Sequence, residues 1–401
     1  MSRLVERARQ AAPQLLIYFL ALGFMGVAGG CFQTGYNNFL NDSFHIGADA
    51  RGMLEFPREL PGFLVALMTG LLAFLPETRV AGLAGLITFA GMMGLGAVDR
   101  HSQDPNAWQW MVFFTVMWAT GTHLVMPVTS SIAMSLAHQT RHGRRLGQVS
   151  GVSAAAFIIG AAFAWLVSLH QAIPPYWLIF VAGGGMAAIA AALFFTMRDI
   201  GRQTARPKLI IRRRYWLFYA LSAIFGGRKQ IFITFGPWVL IKVFRQSVAT
   251  FAFLGITNSL LTVFTSPALG NLIDRWGERK VMILDALGVM FISLGYGGAH
   301  WLGRPGLYLV FACFVLDQVW FALGNARATY LAKIAEEPEH VTASLSLGVS
   351  LDHAVSMSLP TVGGLVWMKY GHPWVFVGAA ALALVGAMFS AMVRVPHRAP
   401  A

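Results

Sequence analysis

Twelve apolar runs, each about as long as a helix needs to cross a bilayer, constrain this chain more than any other feature. They lie near 13–36, 53–75, 80–98, 108–136, 147–169 and 175–197, then near 215–240, 249–272, 281–300, 306–330, 344–368 and 373–394. About 20 apolar residues are needed to span the hydrocarbon layer as a helix. Inside that layer each backbone N–H and C=O must find its partner within the segment or a closed barrel, and runs of this length select helices. Of the 401 residues, 56% are hydrophobic and only 12% charged, with a mean hydropathy of +0.61. A soluble domain carries roughly 25% charged residues, so too little charge is left here to cover a wetted surface. That excludes a soluble enzyme with a large core.

The net charge of +13 is concentrated where a membrane protein keeps it. Arg198, Arg202, Arg206, Lys208, Arg212, Arg213 and Arg214 crowd one connection between apolar runs, with no aromatic platform that would point to nucleic acid. The expected organisation is an N-terminal six-helix half over 1–197, a basic cytoplasmic linker over 198–214 and a C-terminal six-helix half over 215–401. With both termini inside, inner segments hold twenty Lys and Arg and outer segments six, namely Arg51, Arg100, Lys242, Arg245, Arg304 and Lys369. The positive-inside rule supports that orientation, in what we expect to be a bacterial inner membrane. The basic start followed by a run to about Leu40 is too long for a signal peptide and reads as an uncleaved first helix. Cys31 and Cys313 lie inside apolar runs and read as packing residues.

The two halves show traces of a repeat at an offset of 201. Leu146-Gly147 opens the fifth run and Leu347-Gly348 the eleventh. Thr69 to Arg79 occupies the first-half slot of Gly270 to Lys280, with Glu77 and Arg79 against Glu278 and Lys280. Ala73 stands opposite Asp274, and Pro76 opposite Gly277.

The stretch Gly270-Asn-Leu-Ile-Asp274-Arg275-Trp-Gly277-Glu-Arg279-Lys280 is a charged loop between the eighth and ninth runs. Gly277 permits a tight reversal, and Gly270 suits a close approach of two helices. The pattern G-x-x-x-D-R-x-G-x-R-K in this setting resembles the signature loop of the major facilitator superfamily of secondary transporters. The resemblance implies an all-α integral membrane protein with twelve transmembrane helices in two pseudo-symmetric halves that alternate in access. It also implies that Gly270, Asp274, Arg275, Gly277, Arg279 and Lys280 form a gating loop, with Asp274 as a latch on the cytoplasmic side. Ile273 and Glu278 depart from the family pattern, and the first-half loop has lost its acid. The proline pattern of family exporters is missing between Gly151 and Trp165.

Ionised groups are expensive in the bilayer and mark partners or aqueous paths. Arg228, Lys229 and Gln230 lie mid-way in the seventh run, Asp317 and Gln318 in the tenth, Asp352 and His353 in the eleventh, and His123 in the fourth. Glu55, Arg58 and Glu59 share one face at the start of the second, between Pro57 and Pro61. Gln33, Tyr36 and Asn37 share a face of the first. The resemblance implies a central cavity lined by the first, fourth, seventh and tenth helices. The expected substrate-binding residues are thus Arg228, Lys229, Gln230, Asp317, Gln318, His123, Gln33, Tyr36 and Asn37. Arg228 is the favoured anchor, because a guanidinium grips carboxylate or phosphate in a fork. The competing reading pairs Arg228 with Asp317 as a structural ion pair. Asp352, His353, Asp317, Glu55 and Glu59 are the candidates for carrying a coupling proton.

These features point to a secondary carrier of a small, anionic organic solute, driven by protons. A divalent metal ion or drug exporter of the same fold is the alternative, with Asp317, Asp352, His123 and His353 as metal ligands that lack local site spacing. No phosphate-binding loop is present, no catalytic motif surrounds the polar residues, and no resident metal or cofactor is expected. The expected partners are a small-molecule substrate, protons and the lipid bilayer, without nucleic acid, around a monomeric chain. A sensor or assembly factor would call for a soluble domain or long tail.

Overall fold

The computed structural model describes residues 2–137, 142–200 and 211–395, and these form helices joined by short turns and loops, with no strand among them. Helices α1 (Ser2–Phe44), α5 (Glu77–Arg100), α6 (Ala107–Ser135), α7 (His142–Ser168) and α8 (Tyr176–Thr196) are unbroken. They match the first and the third to sixth apolar runs. The second run is broken into α2 (Ala48–Met53), α3 (Glu55–Phe63) and α4 (Val65–Leu71). Prolines are the cause. Pro57 has no N–H to bond the carbonyl of Met53, and Pro61 has none for that of Pro57.

In the second half, α9 (Trp216–Lys242), α10 (Val248–Trp276), α11 (Glu278–Gly298), α14 (Pro338–Tyr370) and α15 (His372–Ala391) match five runs. The tenth run is interrupted. Helix α12 (Arg304–Trp320) tightens into a 3₁₀ turn at Phe321–Asn325 before α13 (Ala326–Ile334). The expected twelve spans are therefore present, two of them discontinuous. The expected basic linker falls largely on residues 201–210, outside the described residues.

The chain packs as two compact units. The first comprises Met1–His45, Leu64–Arg206 and Ser247–Ser259, and the second Ile46–Phe63, Pro207–Gln246 and Leu260–Ala401. In the first unit, Tyr18, Leu22, Val80, Ile132 and Phe194 form one buried cluster, and Phe32 stacks on Trp118. Helices α1 and α7 cross at Gly30 and Gly160, where an added Cβ would stand 2.3 and 2.1 Å from backbone oxygens of the facing helix. In the second unit the cluster includes Tyr215, Phe218, Ile273, Val281, Leu331 and Val393. Cys31 and Cys313 are free and buried.

Candidate functional site

Nine helical segments among the described residues are long and apolar enough to cross a membrane. The second, seventh and eleventh spans are missing from that set. Those three hold most of the interior charge, and within the second unit they pack on one another: α14 lies against α9, α2 and α3. The spans least suited to lipid thus cover each other's polar faces.

Glycines make the approach possible. A Cβ on Gly226 would sit 2.4 Å from the carbonyl oxygen of Asp352, one on Gly52 2.2 Å from that of Pro360, and one on Gly364 2.4 Å from that of Ala48. Between these crossings the polar side chains form a continuous seam. Arg51, Glu55, Arg58 and Glu59 recur at three- and four-residue spacing, so they share one face of α2–α3. Glu55 is completely buried. It accepts from Arg51 Nη1, from Arg58 Nε at 2.7 Å and from Gln230 Nε2 at 2.7 Å. Arg58 also reaches Glu59 at 2.8 Å, and Glu59 Oε2 lies 2.9 Å from His353 Nδ1.

Three consecutive residues of α9 fan out because successive helical side chains point about 100° apart. Gln230 turns to Glu55. Lys229 Nζ lies 2.5 Å from Asp352 Oδ1, which also accepts from Ser356 Oγ at 3.2 Å. Arg228, only 5% exposed, stands 3.4 Å from Asp285 Oδ1 on α11 and 3.5 Å from Asp317 Oδ1 on α12. Among the described residues its Nε and Nη1 have no hydrogen-bond partner, and neither has Asp285 Oδ1. Arg327, in the first turn of α13, lays its guanidinium over the Phe225 ring at 3.5 Å and donates from Nε to the Gly324 carbonyl at 3.2 Å. It forms no ion pair with a described residue. A cavity of about 40 Å³ opens here, lined by Phe225, Arg228, Met282, Asp285, Arg327 and Ser390 among others. The seam and this cavity together hold five bases (Arg51, Arg58, Arg228, Lys229, Arg327) and five acids (Glu55, Glu59, Asp285, Asp317, Asp352), so their formal charges cancel.

The structure unites Arg228, Lys229, Gln230, Asp317, Asp352, His353, Glu55 and Glu59 in this seam. Gln318 is exposed, one residue round the helix from buried Asp317. In the first unit Gln33 is exposed, Asn37 half-buried and Tyr36 buried against Thr115 Oγ1 at 3.0 Å, so that trio does not present one common environment. His123 Nδ1 lies 2.8 Å from the Ala119 carbonyl of its own helix.

Four features escaped the sequence reading. Arg51, counted among the outer loop charges, is 2% exposed and bound to Glu55; an acid four residues on was the signal. Asp285 lies two turns into α11, and Arg327 begins a helix that the continuous tenth run concealed. Glu278, read only as a departure from the loop pattern, is buried and paired with Lys333 at 2.6 Å.

In the gating loop Gly277 adopts φ +76°, the left-handed region that favours glycine. Among the described residues, no heavy atom outside its own helical turn lies within 4 Å of where a Cβ on Gly270 would stand. Asp274, Arg275, Arg279 and Lys280 are all exposed.

The sequence profile of the Major Facilitator Superfamily matches residues 18–344 and 218–401. The chain belongs to that superfamily. It is 26% identical over 196 residues to human "Solute carrier family 67 member A1", a match covering 48% of this chain and 45% of that protein. The chain thus matches under half the length of that relative. Among solved structures, a point mutant of the nucleoside transporter NupG superposes with a TM-score of 0.76 at 14% identity, covering 95% of this chain and 100% of that one. A bacterial homologue of the human lysosomal transporter Spinster, inward-facing and unoccupied, gives 0.74 at 15%, covering 96% of each. As a superfamily member this is a transporter, not an enzyme, and an integral membrane protein.

Proposed function

We propose that this superfamily member carries a small, anionic organic solute by alternating access, coupled to protons, across a bacterial inner membrane with both termini cytoplasmic. The observation that supports this reading is the balanced seam, with Arg228 held between two acids. A buried ion pair is costly to break, because one partner left alone is an uncompensated charge. An anion therefore enters such a cluster at least cost when a proton arrives with it: protonation of Asp317 or Asp285 offsets the negative charge that the anion brings. In this scheme Asp317 links substrate and proton, while Asp352, His353, Glu55 and Glu59 extend the chain of groups along which charge is rearranged. Lys229 and Gln230 hold the seam closed around it. The two six-helix halves, divided at 198–214, are the bodies that alternate.

Purified protein in liposomes, given an inward proton gradient, tests the reading against a panel of labelled organic acids, nucleosides, sugars, cationic drugs and divalent metals. Accumulation of an organic acid that collapses with a protonophore is the expected result. Accumulation of only a metal ion or a cationic drug refutes it in favour of the alternative.

A further inference from the structure

We propose that Arg327, not Arg228, is the residue that takes the acidic head-group of the cargo, and that this head-group is a carboxylate; the inference rests on the anionic-solute reading above. Four of the five bases are already committed. Arg51, Arg58, Arg228 and Lys229 each face a carboxylate. Arg327 alone among them makes no ion pair with a described residue, although it belongs to the same cluster.

Arg327 is also held ready. Its guanidinium lies flat on Phe225 at 3.5 Å, a cation–π contact that fixes the plane of the fork. Its Nε is spent on the Gly324 carbonyl at 3.2 Å. That leaves the two terminal nitrogens, the edge that grips a carboxylate with two parallel hydrogen bonds. A guanidinium oriented in advance loses less freedom on binding than a mobile one. Phe225 is a positioning residue in this arrangement, and the 3₁₀ turn at 321–325 brings Arg327 round to it.

Size selects among acids. The cavity beside Arg327 measures about 40 Å³. A single water needs roughly 10–15 Å³, so this space admits a small head-group such as a carboxylate. A carboxylate has three non-hydrogen atoms and a phosphate five. The remaining walls include Leu221, Ile224, Met282 and Val289, which suit a hydrocarbon portion, with Ser390 and the unpartnered Nε and Nη1 of Arg228 as the further donors. The charged groups facing the space are Arg228, Asp285 and Arg327, with Asp317 behind Arg228 and Asp352, already paired with Lys229, within electrostatic reach of Arg327. Asp285 is held towards Arg228 at 3.4 Å, which leaves Arg327 as the base open to an incoming acid.

Arginine footprinting tests this without knowledge of the natural cargo. The full-length protein in lipid nanodiscs is treated with phenylglyoxal, and each arginine is followed by peptide mass spectrometry. Arg327 should react several-fold faster than Arg228, Arg51 and Arg58. Sodium acetate should slow its modification, whereas sodium chloride and sodium phosphate at equal ionic strength should not. Phe225→Leu should shift half-protection to a higher acetate concentration. An Arg327 no more reactive than Arg228, or equal protection by chloride, overturns the inference. Protection by acetate at Arg228 alone also overturns it, while leaving the anionic-solute reading intact. A liposome screen that yields only neutral or cationic cargo, with Arg327 still protected by acetate, rejects the transport reading and keeps the site.

Discussion

Lys229 and Asp352 join the seventh and eleventh spans through one 2.5 Å contact between Nζ and Oδ1, with both side chains mostly buried. Each is the other's only ion-pair partner among the described residues. Replacing one leaves a lone charge in the interior, a loss of about 3 kcal/mol at the lower end of the range for buried pairs. Lys229→Ala and Asp352→Ala should each lower the thermal unfolding midpoint. The double variant should recover most of that loss. Stability measured by intrinsic fluorescence in detergent checks this, and additive losses in the double variant would show that the pair contributes little.

Gly226→Ala should be worse than an ordinary small-to-large change. The added methyl would stand 2.4 Å from the Asp352 carbonyl oxygen, and backbone gives way less readily than a side chain. Overpacking typically costs about 1–3 kcal/mol. Because α9 and α14 would have to part, the variant should also lengthen the Lys229–Asp352 contact. Gly185→Ala, where a Cβ meets nothing within 4 Å, is the control and should unfold like the parent.

The twelve spans were legible because length and apolarity are local properties, and the lipid solvent leaves helices no competitor. The breaks were only half legible. Pro57 and Pro61 announced the interruption of the second span, but no residue from 306 to 330 is a proline, so the 3₁₀ turn before Arg327 had no such marker. Ion-pair partners were the least legible. Arg228 could be placed inside the membrane from its position alone, yet nothing local says that Asp285, from a helix some fifty residues on, would share it with Asp317. Arg51 was misplaced for a related reason: charge counting treats a residue at a run's edge as wetted, while the broken helix and Glu55 draw it inward.

The gating loop makes two separable predictions. Gly277 holds φ +76° with ψ 160°, a region essentially confined to glycine, where a residue with a Cβ pays roughly 1–3 kcal/mol. Gly277→Ala should therefore lower stability by about that amount and change no contact, since its Cβ would meet open space. Asp274 lies in the last turn of α10, the end of a helix where a carboxylate is disfavoured. Its presence there is compatible with a role in gating and not with one in folding. Asp274→Asn should leave the unfolding midpoint unchanged or slightly raised while shifting spin-label distances across the cytoplasmic side towards an inward-open state. Unchanged distances would remove the latch role.

Single-cysteine labelling checks the orientation. Cys31 and Cys313 are 1% and 4% exposed, and both are replaced by Ala or Ser first. Ile211, 66% exposed within the basic linker, becomes Ile211→Cys, and exposed Asp104 becomes Asp104→Cys. An impermeant maleimide applied to intact cells should label the second and spare the first. Labelling at 211 would invert the topology and contradict the twenty-to-six charge bias.

Arg228 should respond to loss of a partner differently from Lys229, because it has two. Asp317→Asn removes the acid at 3.5 Å but leaves Asp285 at 3.4 Å, so Arg228 keeps a counter-charge. The fall in stability should be well below the roughly 3–5 kcal/mol expected when a buried pair loses one member. Asp285→Asn should behave alike, whereas the double Asp285→Asn/Asp317→Asn variant strands the guanidinium and should lose far more than the sum. Arg228→Ala is the converse case. It leaves two acids close together without the base they share, with Arg327 still lining the cavity beside Asp285, and like charges so placed repel. Its stability should therefore improve more steeply as pH falls than that of the parent. Denaturation midpoints across a pH series separate the outcomes. Additive effects of the two Asn substitutions, or a pH-independent Arg228→Ala, would mean that Arg228 relies on one of the two acids alone.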